Sequence, residues 1–147
     1  MRFDLSIRLA IAACAMSAPA VAQAGRELVA GPVAADVERV IDGDTFVAVA
    51  HVWPGHDVRV SVRIRGIDAP EMRSRCPAER AAARRAQERL EALLSSGPVL
   101  LGNVGGGKYY GRVLADVVAD GRPAAGLLLE DGLARPYRGG KRLPYCG

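Results

Sequence analysis

The stretch VRVSVRIRGIDAPE, residues 58–71, contains the clearest strand pattern in the chain. Apolar and polar residues alternate through it, and the apolar positions are Val58, Val60, Val62 and Ile64. The positions between them are mostly arginine, so the pattern predicts a strand with one apolar and one basic face. The strand should end near Asp68. The residue before Pro70 is held extended, and proline has no backbone N–H to donate to a neighbouring strand.

Two further strands are expected before this one, at residues 37–41 and 45–53. Between them IDGDTF, residues 41–46, places Asp42 and Asp44 on either side of a glycine. Asp-Gly after a strand is a hairpin signal, so these acids by themselves indicate a turn more strongly than a pair of ligands.

The second half of the chain adds helices and more strands. A helix should begin near Pro77, with one apolar face made of Ala82, Ala86, Leu90 and Leu93. We expect strands at residues 99–104, 112–119 and 133–137, a flexible loop at 105–107 and a short helix at 123–131. Short, mostly antiparallel strands with a helix inserted after the third indicate an α+β, mainly β, fold: a small barrel packed by helices.

The first residues read as a targeting segment. Arg2 and Arg8 precede a run of small apolar residues that ends in Ala22-Gln23-Ala24, the pattern that signal peptidase recognises. We therefore expect a signal peptide at 1–24, a flexible lead-in at 25–36, one domain at 37–147, and a periplasmic or secreted mature protein. We rank attachment of a lipid at Cys14 below signal-peptide cleavage, because the apolar run between Arg8 and Cys14 is short.

The mature chain should not insert into a membrane, because no later segment has the roughly 18 consecutive apolar residues that a span requires. Removing the leader leaves 18 basic and 15 acidic residues of the full 20 and 16. This arginine-rich balance suits phosphate binding, although a GC-rich genome explains it equally well. Cys76 and Cys146 form an even pair that we expect to be a disulfide.

Several acids should meet at one place. Asp44 begins one strand, while Asp68 and Glu71 lie just past the end of its antiparallel partner, so the two ends come together. Carboxylates at that separation repel one another unless some are protonated or a cation lies among them, and a hard divalent ion is the simplest remedy. Arg63, on the same strand as Asp68, can engage an anion at the rim, so the combination suggests a phosphoester substrate.

Two other cation or nucleotide sites are excluded. Asp42 and Asp44 lack the further oxygen ligands of an EF-hand. Residues 102–108 match the start of a P-loop, but Tyr109 stands where the loop needs Ser or Thr, and a strand rather than a helix follows.

Three motifs in order resemble the staphylococcal (micrococcal) nuclease, or thermonuclease, family. They are Ile-Asp-Gly-Asp-Thr at 41–45, Arg-x-x-x-x-Asp-Ala-Pro-Glu at 63–71 and Lys-Tyr-Tyr-Gly-Arg at 108–112. The resemblance runs from about Val37 to Tyr137. It implies a five-stranded OB-like barrel with an inserted helix and a second short helix. It also implies a secreted, calcium-dependent enzyme that cleaves the phosphodiester bonds of DNA and RNA and leaves 3'-phosphates.

The resemblance also implies roles at the acidic end of the barrel. Asp44 and Asp68 match the calcium carboxylates, with the Ala69 carbonyl as a backbone ligand. Glu71 matches the residue that positions or deprotonates the attacking water, and Asp42 supports the metal ligands from behind.

The remaining roles concern the substrate. Arg63 and Arg112 match the pair that grips the scissile phosphate, and Lys108 and Tyr110 match residues that contact the substrate. Here the motif before Arg112 lacks the family's usual aspartate and is one residue longer, which leaves the geometry of that loop open. The long C-terminal helix of the staphylococcal enzyme is also missing.

Two rival functions stay open at this point. An inactive OB-like module would bind nucleic acid or protein without cleaving it, and a small disulfide-stapled domain would carry its acids only as surface turns. The full set Asp44, Arg63, Asp68, Glu71 and Arg112 favours the enzyme. We expect the mature chain to act as a monomer.

Overall fold

A computed structural model describes residues 28–146 of the protein. The predicted signal peptide, including Cys14 and Ala24, lies outside the described residues. The strands are β1 (Leu28–Val29), β2 (Val33–Asp42), β3 (Thr45–Trp53), β4 (His56–Ile64), β5 (Ile67–Asp68), β6 (Val99–Gly106), β7 (Arg112–Ala119), β8 (Arg122–Pro123) and β9 (Arg135–Pro136). The helices are α1 (Pro77–Leu94) and α2 (Ala124–Glu130).

Five long strands close into a barrel. Their order is β2-β3-β4-β7-β6, and β6 pairs back onto β2. The β4–β7 pair is parallel and the other four are antiparallel. Closure removes the open sheet edges that would otherwise expose backbone donors and acceptors. The predicted five-stranded OB-like barrel with an inserted helix and a second short helix is confirmed.

Several predicted boundaries were wrong. β2 begins at Val33, inside the expected lead-in at 25–36, and residues 28–29 also pair with β6. β6 likewise continues through Gly106, into the segment expected to be a loop. In both places neighbouring strands satisfy the backbone donors and acceptors, which local composition does not reveal.

Helix α1 packs its apolar face against the barrel. Its buried residues are Ala83, Ala86, Leu90, Leu93 and Leu94. Ala83 therefore takes the place predicted for Ala82, which lies half-buried at the edge of the same face. Phe46, Val62 and Ile64 fill the barrel beneath the helix, and Leu128 of α2 joins the same core.

The alternating pattern of β4 holds only over its inner half. Val62 and Ile64 are buried, whereas Val58, near the tip of the β3–β4 hairpin, is 44% exposed. The hairpin extends beyond the barrel core, and its apolar tip residues are exposed among residues 28–146, with Trp53 at 71%. Among residues 28–146, no helix has the length and apolar character needed to cross a membrane.

The predicted disulfide is present. Cys76, which caps the start of α1, is bonded to Cys146 in the C-terminal tail, with 6.5 Å between their Cα atoms. The bond spans 70 residues of sequence and fixes the tail, which is here defined as residues 138–146, beside the first turn of the helix.

Replacing both Cys76 and Cys146 by serine should destabilise the protein by about 4 kcal/mol in the chain-entropy model, because the unfolded chain regains the freedom of a long loop. Urea unfolding of the oxidised wild type and of the double variant measures the difference. Unchanged unfolding free energy would show that the bond does not constrain the chain.

Candidate active site

Strand register brings the acidic residues together. Thr45, the first residue of β3, pairs with Arg63 of β4, and the Ile64 amide donates to the Asp44 carbonyl at 2.9 Å. The chain turns at Gly66, which has a φ of 84°, and β5 then carries Asp68 back toward Asp44. The expected meeting of the two strand ends is therefore present.

The Asp-Gly-Asp turn is built against helix α1. The Gln87 side-chain amide donates to the carbonyls of Val40 and Ile41, which ties the end of β2 to the helix. An ideal Cβ on Gly43 would lie 2.5 Å from the Cβ of Ala86 and 2.9 Å from that of Ala69. Glycine is thus required at this position by close packing of the turn.

Asp44 and Asp68 are buried and share one arginine. Arg63 donates from Nη1 to Asp44 Oδ1 at 2.5 Å and from Nη2 to Asp68 Oδ1 at 3.0 Å. The Ala69 amide donates to Asp44 Oδ2 at 2.9 Å. Arg63 therefore lies between the two carboxylates, deeper than the rim position expected from the sequence.

Arg142, in the tail, is a second arginine at these acids that sequence analysis missed. Its Nη2 forms a salt bridge with Asp68 Oδ1 at 2.7 Å and donates to the Ala69 carbonyl at 2.9 Å. Its Nη1 pairs with Glu71 Oε1. Burial lowers the pKa of Arg142, but its hydrogen bond to Asp68 and the nearby negative charges raise it more, so the guanidinium stays charged.

Tyr145 fixes the tail directly onto the acidic strand end. Its hydroxyl donates to the Asp68 carbonyl at 2.6 Å, and Arg135 stacks over its ring at 3.9 Å. Burial and, next, the charge of Asp68 raise the pKa of Tyr145 to about 12, so it remains a hydrogen-bond donor at neutral pH.

Asp42 contacts Asp44 across the turn and also lines the cleft. Its Oδ1 accepts a long hydrogen bond of 3.3 Å from the Asp44 amide. Burial, followed by the charge of Asp44, raises the pKa of Asp42 to about 6. Burial is thus the larger cause, and repulsion between the neighbouring carboxyl groups adds to it.

The loop before β7 presents Arg112 to the same acids. Residues 107–111 close through a hydrogen bond from the Gly107 amide to the Arg112 carbonyl at 2.8 Å. Arg112 Nη2 donates to Thr45 Oγ1 at 3.3 Å, and Thr45 donates in turn to Asp44 Oδ1 at 2.8 Å. Among residues 28–146, the buried Nε of Arg112 has no hydrogen-bond partner. The altered motif therefore keeps Arg112 at the site.

A cleft of about 810 Å³ joins these elements. It is lined by most of the predicted site residues, namely Asp42, Asp44, Arg63, Ala69, Glu71, Lys108 and Arg112, and also by Tyr109 and Arg142. Tyr110, predicted to contact the substrate, is fully exposed and lies outside this lining. Tyr109 is the tyrosine at the cleft, because it precedes the turn that carries Tyr110 away.

Comparison with known proteins agrees with this geometry. A family model described as staphylococcal nuclease homologue matches residues 61–143, more than half of the chain. The chain belongs to the staphylococcal nuclease family. No curated protein gives a match. Family membership supports a nuclease-like hydrolase with nucleic acid as its class of substrate.

Calcium, which the sequence resemblance associates with the staphylococcal nuclease family, fits the donors at this site. Two carboxylates and the Ala69 carbonyl are the hard oxygen ligands that calcium prefers. Asp68 Oδ1 and the Ala69 carbonyl already converge on one positively charged nitrogen, Nη2 of Arg142. Within residues 28–146, however, no three His, Cys, Asp or Glu side chains form a ready metal cage. The two arginines lie among the acids instead.

One signal in the sequence could have located Arg142. The predicted disulfide joins Cys146 to Cys76, five residues after Glu71, so it must bring the tail close to the acidic strand end. A basic residue four positions before Cys146 is then within reach of Asp68. The role of Tyr145 as an anchor has no comparable signal.

Gly43→Ala should destabilise the protein by roughly 1–3 kcal/mol, because the added methyl group collides with Ala86 and Ala69 and pushes the turn from the helix. The matched control is Gly126→Ala in α2, where the new Cβ meets only Pro123 at 3.6 Å. That change should be neutral or stabilising by up to about 1 kcal/mol. Urea unfolding measures both, and equal effects would contradict the packing role of Gly43.

Proposed function

We propose that this protein is a calcium-dependent nuclease that hydrolyses phosphodiester bonds in DNA and RNA at the cleft lined by Asp44, Glu71 and Arg112, next to the buried Asp68. The observation that carries the proposal is the position of Arg112, which lines the cleft beside a cluster of carboxylates. An anion-binding arginine next to hard-cation ligands is the arrangement that phosphoryl chemistry requires.

Arg112 is the principal phosphate ligand in this proposal. Among residues 28–146, its Nη2 donates to Thr45 at 3.3 Å and its Nη1 makes no hydrogen bond, so these two terminal nitrogens can grip a phosphate in bidentate fashion. Arg63 also lines the cleft, but it already donates to Asp44, Asp68 and the Ile67 carbonyl. Arg63 therefore mainly orients the acids, and its positive charge helps to stabilise the transition state.

Glu71 accepts the proton of the attacking water. Its side chain is 55% exposed at the cleft, unlike the buried Asp44 and Asp68, so water can reach it. The Glu71 amide donates to Glu79 Oε1 at 3.1 Å, which holds the backbone against α1. As the water oxygen attacks phosphorus in line, the leaving oxygen departs on the opposite side and negative charge gathers near Arg112.

Asp44, Asp68 and the Ala69 carbonyl would hold the calcium ion. When bound, the ion would polarise a phosphoryl oxygen and neutralise part of the carboxylate charge. Thr45 and the Ala69 amide orient Asp44 through hydrogen bonds of 2.8 and 2.9 Å, so that carboxylate is fixed before any ion arrives.

Several features support cleavage of both DNA and RNA without sequence preference. The contacts that Arg112 and Lys108 can make are to phosphate, which carries no base identity. Tyr109 lines the cleft and offers a ring on which any base can stack. We further propose that the mature protein works as a monomer outside the cytoplasm, after cleavage near Ala24.

Incubation of purified protein with plasmid or single-stranded DNA, with calcium or with a chelator, tests this function. We expect cleavage with calcium and none with the chelator. DNA that migrates more slowly in a gel with the protein but stays intact would instead identify a binding module. Cleavage that persists in chelator would contradict the role of calcium.

Replacing Glu71 by Gln or Arg112 by Ala should each lower turnover by at least about a hundredfold, because one change removes the proton acceptor and the other the main phosphate ligand. Initial rates of DNA cleavage at saturating calcium measure both effects.

Two exposed helix residues provide matched controls for these variants. Glu88→Gln and Arg84→Ala make the same chemical changes on the outer face of α1. Both should cleave at nearly the wild-type rate. Wild-type rates for the Glu71 and Arg112 variants would exclude their proposed roles.

A further inference from the structure

The guanidinium of Arg142 contacts the oxygens that the proposed function assigns to the cation and the water. Its Nη2 lies 2.7 Å from Asp68 Oδ1 and 2.9 Å from the Ala69 carbonyl. Its Nη1 pairs with Glu71, the proposed proton acceptor. A positive group from the tail thus occupies two of the three oxygen ligands proposed for the cation, Asp68 Oδ1 and the Ala69 carbonyl.

We propose that Arg142 is a tethered competitor of the metal: it occupies the cation position in the metal-free protein, leaves when calcium binds, and so sets the calcium affinity. This inference rests on the proposed function of the same site. It adds a specific role for a tail residue in deciding when the site is loaded.

The two cations cannot use these oxygens together. Calcium requires oxygen ligands at about 2.3–2.6 Å, which is closer than the guanidinium nitrogen now lies. An ion bound to Asp68 Oδ1 and the Ala69 carbonyl would therefore overlap Arg142 Nη2 and repel its charge. Binding of one cation requires departure of the other.

The tail is held so that Arg142 stays near the site after it leaves. The Cys76–Cys146 disulfide fixes one end, and the Tyr145 hydroxyl donates to the Asp68 carbonyl at 2.6 Å. Arg135 donates to the Pro144 carbonyl at 3.0 Å. Tethering raises the effective concentration of a competitor without adding any contact.

The Arg142 side chain can move without unfolding the tail. It is 37% exposed, so solvent already reaches part of it. None of the anchors formed by Cys146, Tyr145 and Pro144 involves its side-chain atoms. Rotation of this one side chain releases the Ala69 carbonyl and one of the two arginines on Asp68 Oδ1, while Arg63 keeps its own hydrogen bonds to Asp44 and Asp68.

The change in calcium affinity depends on the fraction of time that Arg142 occupies the cation ligands. If Arg142 fills the position about nine-tenths of the time, the apparent calcium affinity falls about tenfold, because only the remaining fraction is competent to bind. Removal of the guanidinium should recover that factor.

Calorimetric titration with calcium, without nucleic acid, compares the oxidised wild type with Arg142→Gln and Lys141→Ala. Lys141 is the matched control, because it is an exposed neighbour whose loss changes net charge equally. Within the described residues, it makes no hydrogen bond to the site. We expect Arg142→Gln to bind calcium about tenfold more tightly than wild type, and Lys141→Ala to remain within about twofold of wild type.

Thermal unfolding supplies a second measurement that is independent of the titration. In chelator, Arg142→Gln should melt below wild type, because Asp68 and Glu71 lose a compensating charge, and calcium should raise its midpoint more than that of wild type. Quantification of free thiols confirms that the Cys76–Cys146 bond is intact in each protein.

Three results would overturn the inference. Equal calcium affinity in Arg142→Gln and Lys141→Ala would show that Arg142 does not compete, while leaving the proposed nuclease function to its own cleavage assay. Weaker binding by Arg142→Gln would make Arg142 a support of the metal site. Absence of calcium binding in all three proteins would overturn both this inference and the calcium dependence of the proposed function.

Discussion

The negative charge of Asp44, Asp68 and Glu71 at one end of the barrel is the constraint on which the site depends. Two of these carboxylates are buried, where an uncompensated charge is costly. Arg63 bridges the buried pair, and Arg142 links Asp68 to Glu71. Each acid thus has a positively charged partner within the chain, and a cation that binds there must rearrange those partners.

The fold supplies this arrangement through register and close packing. Pairing of Thr45 with Arg63 places the arginine beside the turn that precedes β3. Because residue 43 is glycine, that turn packs directly on Ala86 of the helix, and this contact fixes the position of the turn. The disulfide then brings the tail across the start of α1. Long-range contacts therefore fix the site more than any single loop does.

Local patterns predicted the parts of the structure that obey local rules. Alternation in β4 and helical spacing in α1 identified the barrel and its covering helix, because burial of one face imposes those periods. Three motifs then located seven residues of the cleft wall. Arg142 and the inward turn of Tyr109 were missed, since both depend on chain paths between distant segments. The early start of β2 at Val33 was missed for the same reason, because β6 completes its pairing.

A crystal structure of the protein grown with calcium tests the central claim most directly. It should show an ion at about 2.3–2.6 Å from Asp44, Asp68 and the Ala69 carbonyl. The Arg142 guanidinium should have moved away from Asp68 while the disulfide and the Tyr145 contact remain. A calcium ion bound elsewhere, with Arg142 still on Asp68 Oδ1, would contradict the account.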